Sequence, residues 1–236
     1  MIIEFFGLSN SGKSVLKKHL EEKGHSVMKF EKISSTTKIM LLVKSFFLHP
    51  ARNTLLFLKL NSNPLEIRNL PFNARISSSL MRNSYLASVL AKEEYLKRSS
   101  EKIYTDEYSF QSVFMILQKK ASEEEIRQLI SWLPKSDFLV FFRGSKILRD
   151  KAYKIRHPFR KGTLLPGSNF SEEYGKAWMD SMEYNFRILE KIISKDYKET
   201  EKFPDIIKTM DKLNREYKRK NKITLKLLPL KVYRLK

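Results

Sequence analysis

The chain has 236 residues, 42% of them apolar, and a formal charge of +20 at pH 7, so it can bury a sizeable core as one domain with elaborations or two small ones. It has no cysteine, which excludes disulfides, thiolate metal sites and cysteine nucleophiles, and its four histidines (His19, His25, His49, His157) show no helical ligand spacing such as HExxH. The charge favours acidic partners (nucleic acid, anionic lipid, polyphosphate or an acidic glycan), with solvated lysine-rich faces as the plain alternative.

"IIEFF" at the start is a short apolar run of the kind that forms a buried strand. "KSVLKKHLEEKG" then predicts a helix with Val15, Leu16 and Leu20 on one side and Gly24 as its stop. "HSVMKFE" reads as a second strand by its period of two, which would complete a βαβ unit. From 34 to about 100 the pattern is mostly helical. An apolar segment, "IMLLVKSFFLHPARNTLLFLKL", breaks at Pro50, a loop runs through "NSNPLEIRNLPFN", and a long helix follows. Lys44, His49, Pro50 and Arg52 interrupt the apolar segment, leaving no run near the ~20 residues a membrane helix needs. A packed hairpin and an exposed apolar patch look alike at this level.

"KIYTDEYSF" predicts a strand entering a loop, and "QSVFMILQKK" the next helix. Ser122 followed by Glu125 makes a capping-box pattern at the head of "SEEEIRQLISWL". "FLVFF" is continuous enough for a central strand of a parallel sheet covered on both faces. Asp137 precedes that strand and would lie at the opposite edge from the other strand ends. Residues 143 to 167 are basic and rich in Gly and Pro. A helix capped by Ser171 then leads to a basic tail, in which "KITLKLL" is a candidate for a further strand. The alternation predicts an α/β fold with a central parallel sheet.

The chemistry concentrates in "GLSNSGKS", Gly7 to Ser14, which fits GxxxxGK[ST] with no mismatch. A chance match is expected roughly once in a hundred chains of this length at average amino-acid usage. Backbone N–H groups must curl around phosphate oxygens here, and a Cβ at Gly7 or Gly12 would obstruct the turn. The following helix adds the positive end of its dipole. Gly7, Asn10, Ser11, Gly12, Lys13, Ser14 and Val15 are therefore the candidate nucleotide-binding residues, with Lys13 reaching the β- and γ-phosphates and Ser14 coordinating Mg²⁺. Such a metal needs a carboxylate at a neighbouring strand end. Asp106 is the candidate ligand, and Glu107 a candidate base or substrate contact.

With this motif, the helical segment, "TDEYSFQS" and the basic region after the fourth predicted strand, the sequence resembles P-loop kinases of the thymidylate-kinase and nucleoside-kinase type over residues 1 to about 195. The resemblance implies a three-layer domain over 1–200, with an insertion at about 34–100, a lid at about 143–170, and a basic extension at 201–236. It also implies ATP and Mg²⁺ as cofactors. Lid arginines would close over the phosphates, and Arg143, Arg149, Arg156 and Arg160 occupy that segment; Arg149 and Arg156 share a face if it is helical. Arg75 and Arg82 are weaker candidates for contacts with a substrate anion. That family usually has Asp-Arg where this chain has Asp106-Glu107, which leaves the acceptor open among nucleoside, nucleotide, sugar and polynucleotide 5′-hydroxyl.

The expected activity is transfer of a γ-phosphoryl group to a small or polyanionic acceptor. The competing class is a nucleotide-regulated ATPase or binding protein that engages nucleic acid or an anionic membrane through its tail, where Glu216 is the single acid in 215–236. A guanine-reading NKxD is absent. The first residues carry no secretory pattern, which leads to the expectation of a cytoplasmic protein.

Overall fold

The computed structural model describes residues 1–8, 11–62, 72–106, 108–117, 119–142, 172–200, 203–220 and 230–235. The chain forms β1 (Ile2–Gly7), α1 (Lys13–Glu22), a short 3-10 helix (Phe30–Lys32), α2 (Ser35–Leu48), α3 (Pro50–Ser62) and α4 (Phe72–Leu96). It continues through β2 (Ile103–Thr105), α5 (Ser109–Leu117), α6 (Glu123–Trp132), β3 (Phe138–Phe142), α7 (Glu172–Asp196), β4 (Lys198–Glu199), α8 (Pro204–Lys220) and β5 (Lys231–Arg234). The α/β expectation holds at this level.

The sheet is mixed. Its order is β2-β1-β3-β5-β4, with β1 parallel to β2 and β3, and β5 antiparallel to both β3 and β4. The parallel core β2-β1-β3 agrees with expectation, and the correction is at its side, where β5 runs antiparallel to β3 with Val140 opposite Val232. "HSVMKFE" is corrected as well. It makes one parallel bridge, Val27 to Tyr104, before turning into the 3-10 helix. β2 has only three residues, and two bonds close the bridge, Met28 N–H to the Tyr104 carbonyl and Tyr104 N–H to the Ser26 carbonyl, before Phe30 turns into the core.

Alternation along the strands sends side chains to two cores. Ile3 and Phe5 of β1, Phe138, Val140 and Phe142 of β3, and Val232 of β5 pack with Leu16 and Leu20 of α1 and Ile206 and Met210 of α8. Phe6, Leu139, Phe141 and Tyr233 pack on the other side with residues of α2 to α7. The result is helix, sheet, helix. All five residues of β3 are buried, as its unbroken apolar run requires. Glu4 also lies in this sheet, fully buried on the side of Phe6.

Local chemistry sets the helix ends. The Ser122 hydroxyl accepts the Glu125 N–H while Glu125 accepts the Ser122 N–H, completing the capping box of α6. Pro50 separates α2 from α3, where it can start a helix but not continue one. Val15 departs from expectation: it is 55% exposed, while Leu16 and Leu20 are buried, because the face toward the sheet begins one position later.

Candidate functional site

β1 ends at Gly7, and α1 begins at Lys13. The two glycines are required for different reasons. A Cβ on Gly7 would lie 2.7 Å from the Phe142 carbonyl oxygen and 2.8 Å from the Phe142 Cβ, because β1 and β3 meet closely here. Gly12 caps α1 with φ 99°, in the left-handed region that L side chains avoid. The Cβ it lacks would also meet the Met210 Cε of α8 at 2.7 Å.

Lys13 lies across the loop. Its Nζ donates to the Gly7 carbonyl at 2.5 Å, the Leu8 carbonyl at 2.9 Å and the Ser11 hydroxyl at 3.4 Å. The ammonium is thus held among loop carbonyls at the head of α1, beside the positive end of that helix's dipole. Loop, lysine and helix end together offer the charge that an anion would meet.

Asp106 follows directly on β2 and faces the same helix. Its Oδ2 lies 3.5 Å from the Ser14 hydroxyl, which donates to it, and its Oδ1 accepts from Lys17 Nζ at 2.9 Å. The Lys17–Asp106 pair is mostly buried, at 19% and 14% exposure, so it is screened less than a surface pair. Ser14 and Asp106, the two candidate metal ligands of the sequence, are therefore neighbours across 92 residues of chain. Lys17 was not anticipated, although it stands three residues after Ser14 on one face of α1.

A buried network ties these parts together. Glu4 accepts the Gln111 N–H at 3.0 Å and the Ser136 hydroxyl at 3.2 Å, and the Gln111 Oε1 accepts the Gly7 N–H at 3.3 Å. Burial pushes the Glu4 carboxyl up to about 7, with the bonds from Gln111, Ser136 and Phe110 offsetting part of that rise. One side chain of α5 thereby links Gly7 at the end of β1 to the segment after Asp106.

Next to Asp106 lies a cavity of about 290 Å³ lined by Lys17, Met28, Phe30, Glu31, Lys92, Thr105 and Asp106. Phe30 forms one wall, with Lys38 and Lys92 ammonium groups 5.2 and 5.5 Å from its ring centre. The cavity joins an aromatic face to two lysines, Lys17 and Lys92, and two carboxylates, Glu31 and Asp106.

One other predicted residue in the described part of the chain is not gathered here. Arg82 is buried in α4, where burial pulls its guanidinium below the usual value, and it is not among the cavity-lining residues. Asn10, Glu107, Arg143, Arg149, Arg156, Arg160 and the Arg75 side chain lie outside the described residues. Asp137 sits at the opposite end of the strands, where its Oδ2 accepts the Ile2 N–H at 2.7 Å.

A second polar cluster occurs beneath the α2–α3 hairpin. His49, Glu93 and Glu94 bring one ligand atom each within 4.8 Å of one another. Cations already serve it. Arg52 binds Glu93 in a fork with bonds of 3.2 and 2.6 Å, and Lys97 reaches both carboxylates at 3.0 Å. Burial alone would raise the Glu93 carboxyl, but the bonds from Arg52 and Lys97 outweigh it and hold the group below its ordinary value.

No protein-family model matches the chain, and no curated protein matches its sequence.

Proposed function

We propose that the protein is a phosphotransferase that binds ATP with Mg²⁺ along Gly7 to Ser14 and passes the γ-phosphoryl group to a small acceptor. The observation that carries this reading is the complete GxxxxGKS motif between a buried strand and a helix, with a carboxylate from the adjacent parallel strand 3.5 Å from its serine hydroxyl. A glycine turn alone needs neither the lysine nor the partnered serine.

The Ser14 hydroxyl and the Asp106 carboxylate are hard oxygen donors suited to Mg²⁺, and both would hold it. An ion held there would supply charge that offsets the triphosphate. The loop N–H groups and Lys13 would exchange their internal partners for phosphate oxygens. Lys17 would remain beside Asp106, supplying positive charge near the transferred group. Glu107 or Asp106 would orient the acceptor oxygen, and Arg149 and Arg156 would close over the phosphates. In transfer, the bond from the γ-phosphorus to the β,γ-bridging oxygen would break as a bond to the acceptor oxygen forms, with ADP leaving and the acceptor hydroxyl's proton passing to the Glu107 carboxylate. Catalysis of this kind is mostly positioning and charge neutralisation.

The cavity beside Asp106 supports a small acceptor. Its volume of about 290 Å³ is near the lower end for small-molecule sites, and its Phe30 wall and lysines suit a nucleoside, nucleotide or sugar. A polynucleotide would need a longer basic groove with several stacking aromatics.

Melting of the purified protein with and without Mg²⁺ and each of ATP, GTP and ADP tests the reading, repeated for Lys13→Ala. Ligand at about a hundred times its dissociation constant stabilises the folded state by roughly 2.7 kcal/mol. The expected result is a shift with ATP·Mg²⁺ that Lys13→Ala abolishes. No shift, or an equal one in the variant, overturns nucleotide binding. If binding holds, release of ADP dependent on an added nucleoside or sugar tests transfer.

A further inference from the structure

The outer face of α2 is apolar where a surface helix is ordinarily polar. Ile39, Met40, Val43 and Phe47 are 61%, 66%, 47% and 82% exposed. Their spacing places them on one side of the helix, while Leu41 and Ser45 on the other side are buried. Leu55 and Leu58 of α3 add two more exposed leucines. Leu42, Val43, Phe46, Phe47 and Pro50 line an apolar recess of about 480 Å³ at the α2–α3 corner. Clustered exposure of this size marks a contact surface rather than scattered surface residues.

Charge selects the occupant. No Asp or Glu occurs between Glu31 and Glu66, whereas Lys32, Lys38, Lys44, Arg52 and Lys59 do. The nearest acids beneath the hairpin, Glu93 and Glu94, pair with Arg52, Lys44 and Lys97, three cations against two acids, so with Lys32, Lys38 and Lys59 the hairpin region keeps a net positive charge. A second copy of a chain with charge +20 would bring like charges together, and nucleic acid would meet the cations but leave the apolar face unserved. An anionic bilayer serves both, with headgroups for the cations and the acyl boundary for the apolar face. No helix among the described residues is long and apolar enough to cross a membrane.

We propose that the α2–α3 hairpin docks on an anionic membrane surface, with Ile39, Met40, Val43 and Phe47 entering the boundary between headgroups and acyl chains. The docking is independent of the nucleotide chemistry proposed above. It can stand or fall alone.

The test is flotation of the full chain with vesicles of phosphatidylcholine alone and of phosphatidylcholine mixed with phosphatidylglycerol, at low and high salt. The variants are Phe47→Ser and the double change Met40→Ser with Val43→Ser. These side chains are exposed, so each variant should keep the parent's melting temperature, which is measured alongside. The expected result is binding to the mixed vesicles that weakens with salt and falls roughly tenfold in either variant. Equal flotation on neutral vesicles, or full binding by both folded variants, would overturn the proposal. So would a parent dimer in sedimentation that the variants convert to monomer, since the face would then join two copies.

Discussion

The buried Glu4 carboxylate accepts the Gln111 backbone N–H, and the Gln111 side chain in turn accepts the N–H of Gly7. Position in β1 thus reaches Gly7 at the strand's end through a helix more than a hundred residues away. Glu4 does not face the cavity, so its effect on the loop is one of positioning.

That network carries a pH dependence. Burial raises the folded-state carboxyl of Glu4 from 4.5 to about 7, so the folded protein holds this proton more tightly than the unfolded chain. The resulting stability is fully present below about pH 4.5 and is lost as pH rises through about 7, a difference on the order of 3 kcal/mol. Glu4→Gln keeps an acceptor for Gln111 and removes the titration. Urea melts of both proteins from pH 5 to 8 should show a decline in the parent that is much flatter in the variant; parallel curves would refute the assignment.

Gly7→Ala should disturb the loop where β1 meets β3. The new Cβ would stand within 2.8 Å of two Phe142 atoms, one of them a backbone carbonyl in a fully buried strand. Overpacking of this kind costs about 1–3 kcal/mol. We expect a melting temperature lowered by several degrees and a smaller ATP-induced shift. An unchanged melt would show that the strands separate more easily than their packing suggests.

Asp106→Asn separates metal-dependent from metal-independent binding. It removes the carboxylate shared by Ser14 and Lys17. Hydrogen bonds to charged groups contribute about 1.5–3 kcal/mol, so affinity for ATP with Mg²⁺ should fall roughly tenfold to a hundredfold. Calorimetric titration with ADP in chelator should change much less. Equal loss in both titrations would mean that Asp106 acts only by holding Lys17.

A chain ending at Lys212 should fail to fold as the parent does. It would lack β5, whose Val232 and Tyr233 are buried against β3, and Phe141 would lose its edge-on contact with Tyr233. It would also expose β3 as a sheet edge. The expected observation is a broad, non-cooperative melt or aggregation. A sharp melt near that of the parent would show β5 to be dispensable. Charge contributed by the last residues is therefore better probed by salt dependence in the full chain.

Several elements were legible because their causes are local. "IIEFF" and "FLVFF" are apolar over the length of a strand, Pro50 cannot extend α2, and Ser122 with Glu125 satisfies the first turn of α6. "HSVMKFE" misled because a period of two describes side chains, whereas a strand also needs a partner of matching length, and β2 has three residues. The site divided in the same way. Gly7, Gly12, Lys13 and Ser14 declare themselves by spacing, and Lys17 could have been found from its place one turn after Ser14.

By itself the sequence determined the strand, loop and helix around Gly7 to Ser14, the helix caps and the apolar runs of the core, since these follow from backbone preference, capping and periodicity within a few residues. Only the tertiary structure decided that Lys17 neutralises Asp106, that Glu4 holds α5, that Gln111 bonds Gly7 and that β5 lies antiparallel between β3 and β4. The three side-chain pairings among these join residues separated by 89, 107 and 104 positions, and no local preference encodes them. They exist because burying the two faces of the sheet brings those backbone and side-chain groups out of water together, where each must find its partner.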